Sequence, residues 1–275
     1  WSWAEVLPDF RAMEDYEGGA DEWRGAKGPL FVSTGARDPH PLVRRALRAA
    51  EMAGLPFNRD FNGASMEGAG FYQMTIRGGR RNSAARAFLR PAMRRGAVTA
   101  MTHAQATRLV WEGRRCAGVE VLRGGERRVL RARREVVLSA GAVGTPQLLM
   151  LSGIGDGEAL RRFGLPVLHH NPNVGRHLSD HQGVNYTWRM REATYNGLLR
   201  PWWGKAWLGA RWLLTGAGPL SMSINHGGGF FRTDPARGRP NMQLYVQAFS
   251  TLIPREGERP VLTPDPFPGM SLGLS

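Results

Sequence analysis

The chain has 275 residues, 42% of them apolar, and carries a formal charge of +14 from 37 basic and 23 acidic side chains. That length buries a sizeable core, and that apolar content excludes wholesale disorder. The charge raises polyanions as partners, but every basic residue except Lys27 and Lys205 is arginine, scattered without a recognition module, so nucleic-acid binding is not expected. Cys116 stands alone, which excludes an intrachain disulfide and allows reducing surroundings. No uninterrupted apolar run is long enough to span a bilayer. The expected location is cytoplasmic, with peripheral attachment at an inner membrane as the alternative.

In chain order, Trp3, Val6, Leu7, Phe10 and Met13 fall near one face of a helix over 1–17, with Pro8 as an interruption. A glycine-rich connection leads to a short strand over 30–33. Leu42, Ala46, Leu47 and Ala50 mark an amphipathic helix over 41–53, stopped by Gly54 and Pro56. Residues 58–70 are turn-rich and hold no metal-ligand spacing. A strand over 71–76 follows, then a helix capped by Asn82 or Ser83 and running to Arg90. Strands over 97–101, 104–111, 116–122 and 128–132, the last two joined at Gly124 and Gly125, form an antiparallel meander.

The stretch EVVLSAGAVGTPQLLMLSGIG, residues 135–155, organises the chain. Residues 135–139 have the branched apolar character of a strand covered on both faces, and residues 140–144 keep side chains small where it ends. Thr145 can cap the next helix and Pro146 fits its first turn. Free N–H groups would then lie at the carboxyl end of a strand, where α/β proteins hold cofactors. Plain close packing of the small residues is the competing reading.

Beyond it, His169, His170, His177, Asp180 and His181 crowd one short span. A metal site is tempting, yet the fixed third ligand is missing, and structural loop contacts or a place beside a cofactor fit better. Trp188, Trp202, Trp203, Trp207 and Trp212 follow, on a strand and one helix, and packing explains most of them better than a pocket or a membrane surface does. SMSINHGGGFF and NMQLYVQAFS then alternate as antiparallel strands of a second domain. The chain opens at Trp1 in a helix-like pattern and stops within the alternating MSLGLS, so a longer fold is expected.

GAVGTPQLLMLSGIG resembles the second signature of the glucose-methanol-choline oxidoreductases. GPLFVS, DFNGASMEGAGFYQMT, RNSAARAFLRPA, ATRLVWEG, NVGRHLSDH, GGGFFRTDP and FPGMSLGLS occur in that family's order, and the likeness extends over essentially the whole chain. It is nearest to the choline dehydrogenase-like branch. The resemblance implies an α/β FAD-binding domain, partial here, with the meander attached, plus an α+β substrate domain built on a mostly antiparallel sheet. It assigns 78–168 to the FAD domain, 1–77 largely to substrate-domain and cap elements, and 169–275 to the substrate domain. It places Ala106 at the position whose main chain contacts the adenine of FAD, Ala140 and Gly141 beside the nucleotide, and Asp180 with His181 near the cofactor.

The implied reaction is oxidation of a small-molecule alcohol to an aldehyde by hydride transfer to the flavin, with the electron acceptor open between a dehydrogenase and an oxygen-using oxidase. The family's GxGxxG turn and its catalytic histidine pair have no counterpart here. None of His40, His103, His169, His170, His177, His181 or His226 matches the catalytic position, so the isolated chain is expected to be inactive and to bind FAD weakly.

Overall fold

A computed structural model of the chain describes residues 1–35, 37–251 and 263–275. These separate into two compact units, Trp1–Val98 with Gln182–Ser275, and Thr99–His181. The expected FAD segment, 78–168, straddles them: residues 78–98 pack in the first unit, whereas 169–181 pack in the second.

The first unit is built on a five-stranded antiparallel sheet in the order Val184–Arg189, Gly269–Leu274, Met242–Gln247, Gly227–Phe231 and Gly68–Phe71. Alternation sends Leu244, Val246, Met270, Leu272 and Ala69 to one face, where the helix Pro41–Met52 lays Leu42, Val43 and Leu47 against them. Each such aliphatic side chain contributes roughly 1.5–3 kcal/mol by leaving water. The helix starts where Pro41 needs no N–H partner and the His40 ring accepts the Leu42 N–H at 3.2 Å. The opposite face carries Gln243, Tyr245, Gln247, Phe230 and Ser271, and among the described residues no helix packs on it as Pro41–Met52 packs on the first.

The strand expected over 71–76 instead occupies Gly68–Phe71. Its glycines look like turn residues in sequence, but Gly70 is there because a side chain would collide with the Asn58 carbonyl. The helix expected to run to Arg90 is a wide turn over Ala85–Leu89 followed by Arg90–Arg94. Pro91 offers no N–H to the turn before it, and Arg90 reaches five residues back to the Ala85 carbonyl. The first helix spans Trp3–Met13 and keeps Pro8 within it.

In the second unit the meander is as expected: Gln105–Glu112, Arg115–Arg123 and Glu126–Arg131 pair antiparallel in that order. Gly124 and Gly125, at φ 59° and 85°, make the turn that right-twisted strands need. The helix Gly141–Leu151 packs on the meander through Ser152, whose hydroxyl accepts the Leu109 N–H at 2.7 Å and whose carbonyl accepts the Trp111 indole N–H at 3.1 Å.

Two expectations fail here. Residues 97–101 form no strand, and residues 135–139 form neither a strand nor a buried segment, Val137 being 76% exposed. Branched apolar residues become a strand only when neighbours take their backbone groups, and among the described residues none pairs with 135–139. The helix also begins four residues before Thr145, whose hydroxyl accepts the Ala140 N–H at 3.1 Å, so Pro146 lies inside it rather than in its first turn. Among the described residues parallel pairing occurs in short pairs, such as Ile154–Gly155 with His169–His170, and at the Phe57–Ala69 bridge. The architecture is thus the expected two-part α/β fold with antiparallel sheets.

Candidate functional site

The uncovered sheet face floors a cavity of about 650 Å³. Gln243 and Tyr245 rise from the sheet, Tyr72 follows the Gly68–Phe71 strand and Asn225 precedes Gly227–Phe231, and Arg81, Ser221 and Ser223 line it from flanking segments. Tyr72 lies across the sheet because Gly228 has no side chain; a Cβ there would come within 2.6 Å of the phenol oxygen and would strike the Leu244 carbonyl. The freed phenol donates to the Leu244 carbonyl at 2.5 Å and accepts from the Gln243 amide at 3.3 Å, while the Tyr245 hydroxyl donates to the other end of that amide at 2.6 Å. Burial pushes Tyr72 up to about 12, so it stays a neutral hydroxyl over the whole working pH range. Arg81 is the one charged group among the lining residues, and no carboxylate is present there.

A second, more apolar cavity of about 830 Å³ shares Gln73 and Thr75 with the first. Trp3, Phe10, Trp23, Leu30, Phe61 and Met66 make most of its wall. The Gln73 amide donates to Asp60 at 2.7 Å, and Asp60 holds the Arg24 guanidinium at 2.6 Å. Arg24 is fully buried, pairs with Glu14 at 2.5 and 3.0 Å, and lies 3.9 Å over the Tyr16 ring. Burial alone would lower its pKa, but the Glu14 hydrogen bonds and the Asp60 charge outweigh that and raise it. This paired cation locks the Asp60 loop and, through it, the Gln73 wall of both cavities.

His226 precedes the Gly227–Phe231 strand and is 2% exposed, with no partner for Nδ1. Burial and the neighbouring His40 hold its pKa at about 4, so it is neutral at neutral pH. The Tyr195 ring sits edge-on to it at 5.7 Å and to His40 at 4.7 Å. Neither histidine lines the two cavities.

The residues expected around a cofactor all lie in the second unit. Ala106 is exposed on the first meander strand, three residues from the contact that strand makes with Ser152. Ala140 and Gly141 open the 11-residue helix, both exposed. Gly141 has φ 83° and nothing within 4 Å of the place a Cβ would take, so the main chain there is open to a flat group. These features fit an FAD adenine half. Asp180 is exposed and accepts its neighbour His181's N–H at 2.8 Å, a local bond that joins it neither to Ala106 nor to the Ala140–Gly141 turn. His170 is structural, accepting the Gly157 N–H at 3.0 Å. Among the described residues no group of three or more His, Cys, Asp or Glu is placed to hold a metal ion.

The Tyr72–Gln243–Tyr245 chain was not singled out in the sequence. Alternation in NMQLYVQ does put Gln243 and Tyr245 on one face, but nothing local reveals that Tyr72, 171 residues away, lies beside them.

A family model described as GMC oxidoreductase matches residues 1–183. Human mitochondrial choline dehydrogenase is 37% identical over 278 residues, spanning 99% of this chain and 46% of that protein. Oxygen-dependent choline dehydrogenase of Rhizobium etli is 38% identical over 89% of this chain and 44% of its own length. Among solved structures, pyridoxine 4-oxidase from Mesorbium loti superposes with a TM-score of 0.81 at 29% identity, covering 100% of this chain and 49% of that one. Formate oxidase of Aspergillus oryzae gives a TM-score of 0.85 at 23% identity, over 100% and 52%, a likeness of fold alone. The chain therefore spans about half the length of the relatives it matches.

Proposed function

Because the chain belongs to the GMC oxidoreductases, we propose that it is part of a longer FAD-dependent enzyme that oxidises an alcohol to an aldehyde, working as a dehydrogenase of the choline dehydrogenase-like branch. When bound, the flavin supplies the hydride acceptor. The chain's own residues bind and orient. The main chain at Ala106, Ala140 and Gly141 receives the adenine half, Gly141 leaving it unobstructed, and Asp180 serves the cofactor from its own loop. In this reading 78–168 serves the FAD domain, and 1–77 with 169–275 serve substrate binding.

The observation that carries the proposal is the polar cavity over the uncovered sheet face. Its floor is a hydrogen-bonded chain of neutral groups, Tyr72, Gln243 and Tyr245, suited to orienting a hydroxyl without ionising it. No described histidine lines that cavity, so the base that removes the hydroxyl proton is not drawn from this set.

Titration of the full-length protein with FAD, followed by alcohol-dependent dye reduction with and without oxygen, tests the reading. Stoichiometric FAD and dye reduction without oxygen consumption support it. Oxygen consumption without a dye requirement would make the protein an oxidase instead, and absence of FAD binding would end the proposal.

A further inference from the structure

Leu220, Ser221, Met222, Ser223 and Asn225 of the polar cavity's lining come from one segment. Its regular part is the single turn Pro219–Ser221, and from 222 to 226 it is irregular. Such a wall has no ladder of its own and keeps its place by the bonds it makes elsewhere. Ser223 donates its N–H to the Met74 sulfur at 3.3 Å, and the Asn225 side-chain oxygen accepts the Gln247 amide at 2.7 Å. One residue on, the His226 carbonyl accepts the Tyr72 N–H at 3.1 Å, one step beyond the Phe71–Gly227 pair of the sheet. The wall and the phenol that floors the cavity thus meet at the junction of Asn225 and His226.

Asn225 lines the cavity, whereas the next side chain does not: the His226 ring is buried by this chain's own residues, with Tyr195 edge-on to it at 5.7 Å. Both neighbours of that ring are themselves fixed. Tyr195 donates its N–H to the Ala248 carbonyl at 3.1 Å and packs on the core cluster; His40, edge-on to the same phenol ring, caps the helix Pro41–Met52. The His226 Nδ1 finds no hydrogen-bond partner in this setting. A side chain that stays buried despite a missing hydrogen bond is held by its shape, and in a close-packed interior a filled shape has one position.

We propose that His226 is a positioning residue of the alcohol site, its buried ring anchoring the junction that fixes the 220–225 wall against the Tyr72 phenol, a role that rests on this cavity being where the alcohol hydroxyl is oriented. The ring acts through the main chain it holds, not by touching the cavity. A shift of about 1 Å in an oriented group costs on the order of a hundredfold in rate, so slack at the junction is felt in the chemistry.

Anaerobic flavin reduction in the full-length, FAD-loaded protein, followed over a range of primary-alcohol concentrations, tests this. If no alcohol bleaches the unsubstituted protein, the reading of the cavity falls and this role with it; where one does, the variants decide the role alone. His226→Ala should lower the limiting rate by about tenfold or more with FAD content unchanged. His226→Leu, which refills most of the space, should bring it back to within about threefold of the parent. Tyr72→Phe removes the hydroxyl through which the anchor acts, so in that background His226→Ala should add less than about twofold. A purely structural role would multiply the two losses. Gln247→Leu, which frees Asn225 without opening the core, should slow reduction by about threefold and keeps the test valid if His226→Ala unfolds. A folded His226→Ala protein at the parent rate, a His226→Leu protein as slow as the alanine variant, losses that multiply with Tyr72→Phe, or a Gln247→Leu protein at the parent rate would each overturn the proposal.

Discussion

Gly228→Ala tests whether the cavity floor is built as described. The added methyl would strike the Leu244 carbonyl and lie 2.6 Å from the Tyr72 phenol oxygen. The first contact is with main chain of a paired strand and cannot rotate away, so overpacking costs about 1–3 kcal/mol. Displacing the phenol also breaks its bond to that carbonyl, adding about 1 kcal/mol. The expected loss is therefore about 2–4 kcal/mol, read as a lower urea midpoint with unchanged slope. In the Tyr72→Phe background the same change should cost less, because part of the collision has been removed. Gly238→Ala, with no atom within 4 Å of its Cβ, serves as control and should stay within about 0.5 kcal/mol of the parent. If Gly228→Ala does so too, the phenol does not cross the sheet at that glycine.

Two further outcomes follow from buried charge. Arg24→Met leaves Glu14 and Asp60, 18% and 20% exposed, without their cation, and should cost about 3–5 kcal/mol in the same urea assay; a loss below about 1 kcal/mol would show the pairs to be solvated. His226 has its folded pKa depressed to about 4 from 6.5, so between those values the unfolded chain takes up a proton that the folded chain refuses. Stability should then fall as pH drops through that window, by about 3 kcal/mol at pH 4, and His226→Phe should flatten the slope.

What the sequence revealed depended on whether partners were local. The helix over 41–52 and the meander over 105–131 were readable because period and turn chemistry lie within one short stretch. Strand order in the sheet was not, since Gly68–Phe71 pairs with Gly227–Phe231 far along the chain and its glycines mimic a turn. Residues 135–139 carry a strand's composition without a strand's partners. At the site, Ala140 and Gly141 could be singled out for their small size, whereas Arg24, buried between Glu14 on a short strand and Asp60 on a loop, carries no local mark that separates it from the other arginines. The tryptophans of Trp202–Thr215 were expected to pack; of those on the helix, Trp212 does so and Trp202, Trp203 and Trp207 face outward.

The central claim is that this chain helps an FAD enzyme take hydride from an alcohol. The most direct measurement is anaerobic mixing of the full-length, FAD-loaded protein with a panel of primary alcohols, choline included, while the flavin absorbance is followed. The expected result is bleaching of the oxidised flavin band by at least one primary alcohol, with an aldehyde formed in equal amount. A protein that holds FAD stoichiometrically yet is bleached by no alcohol would contradict it.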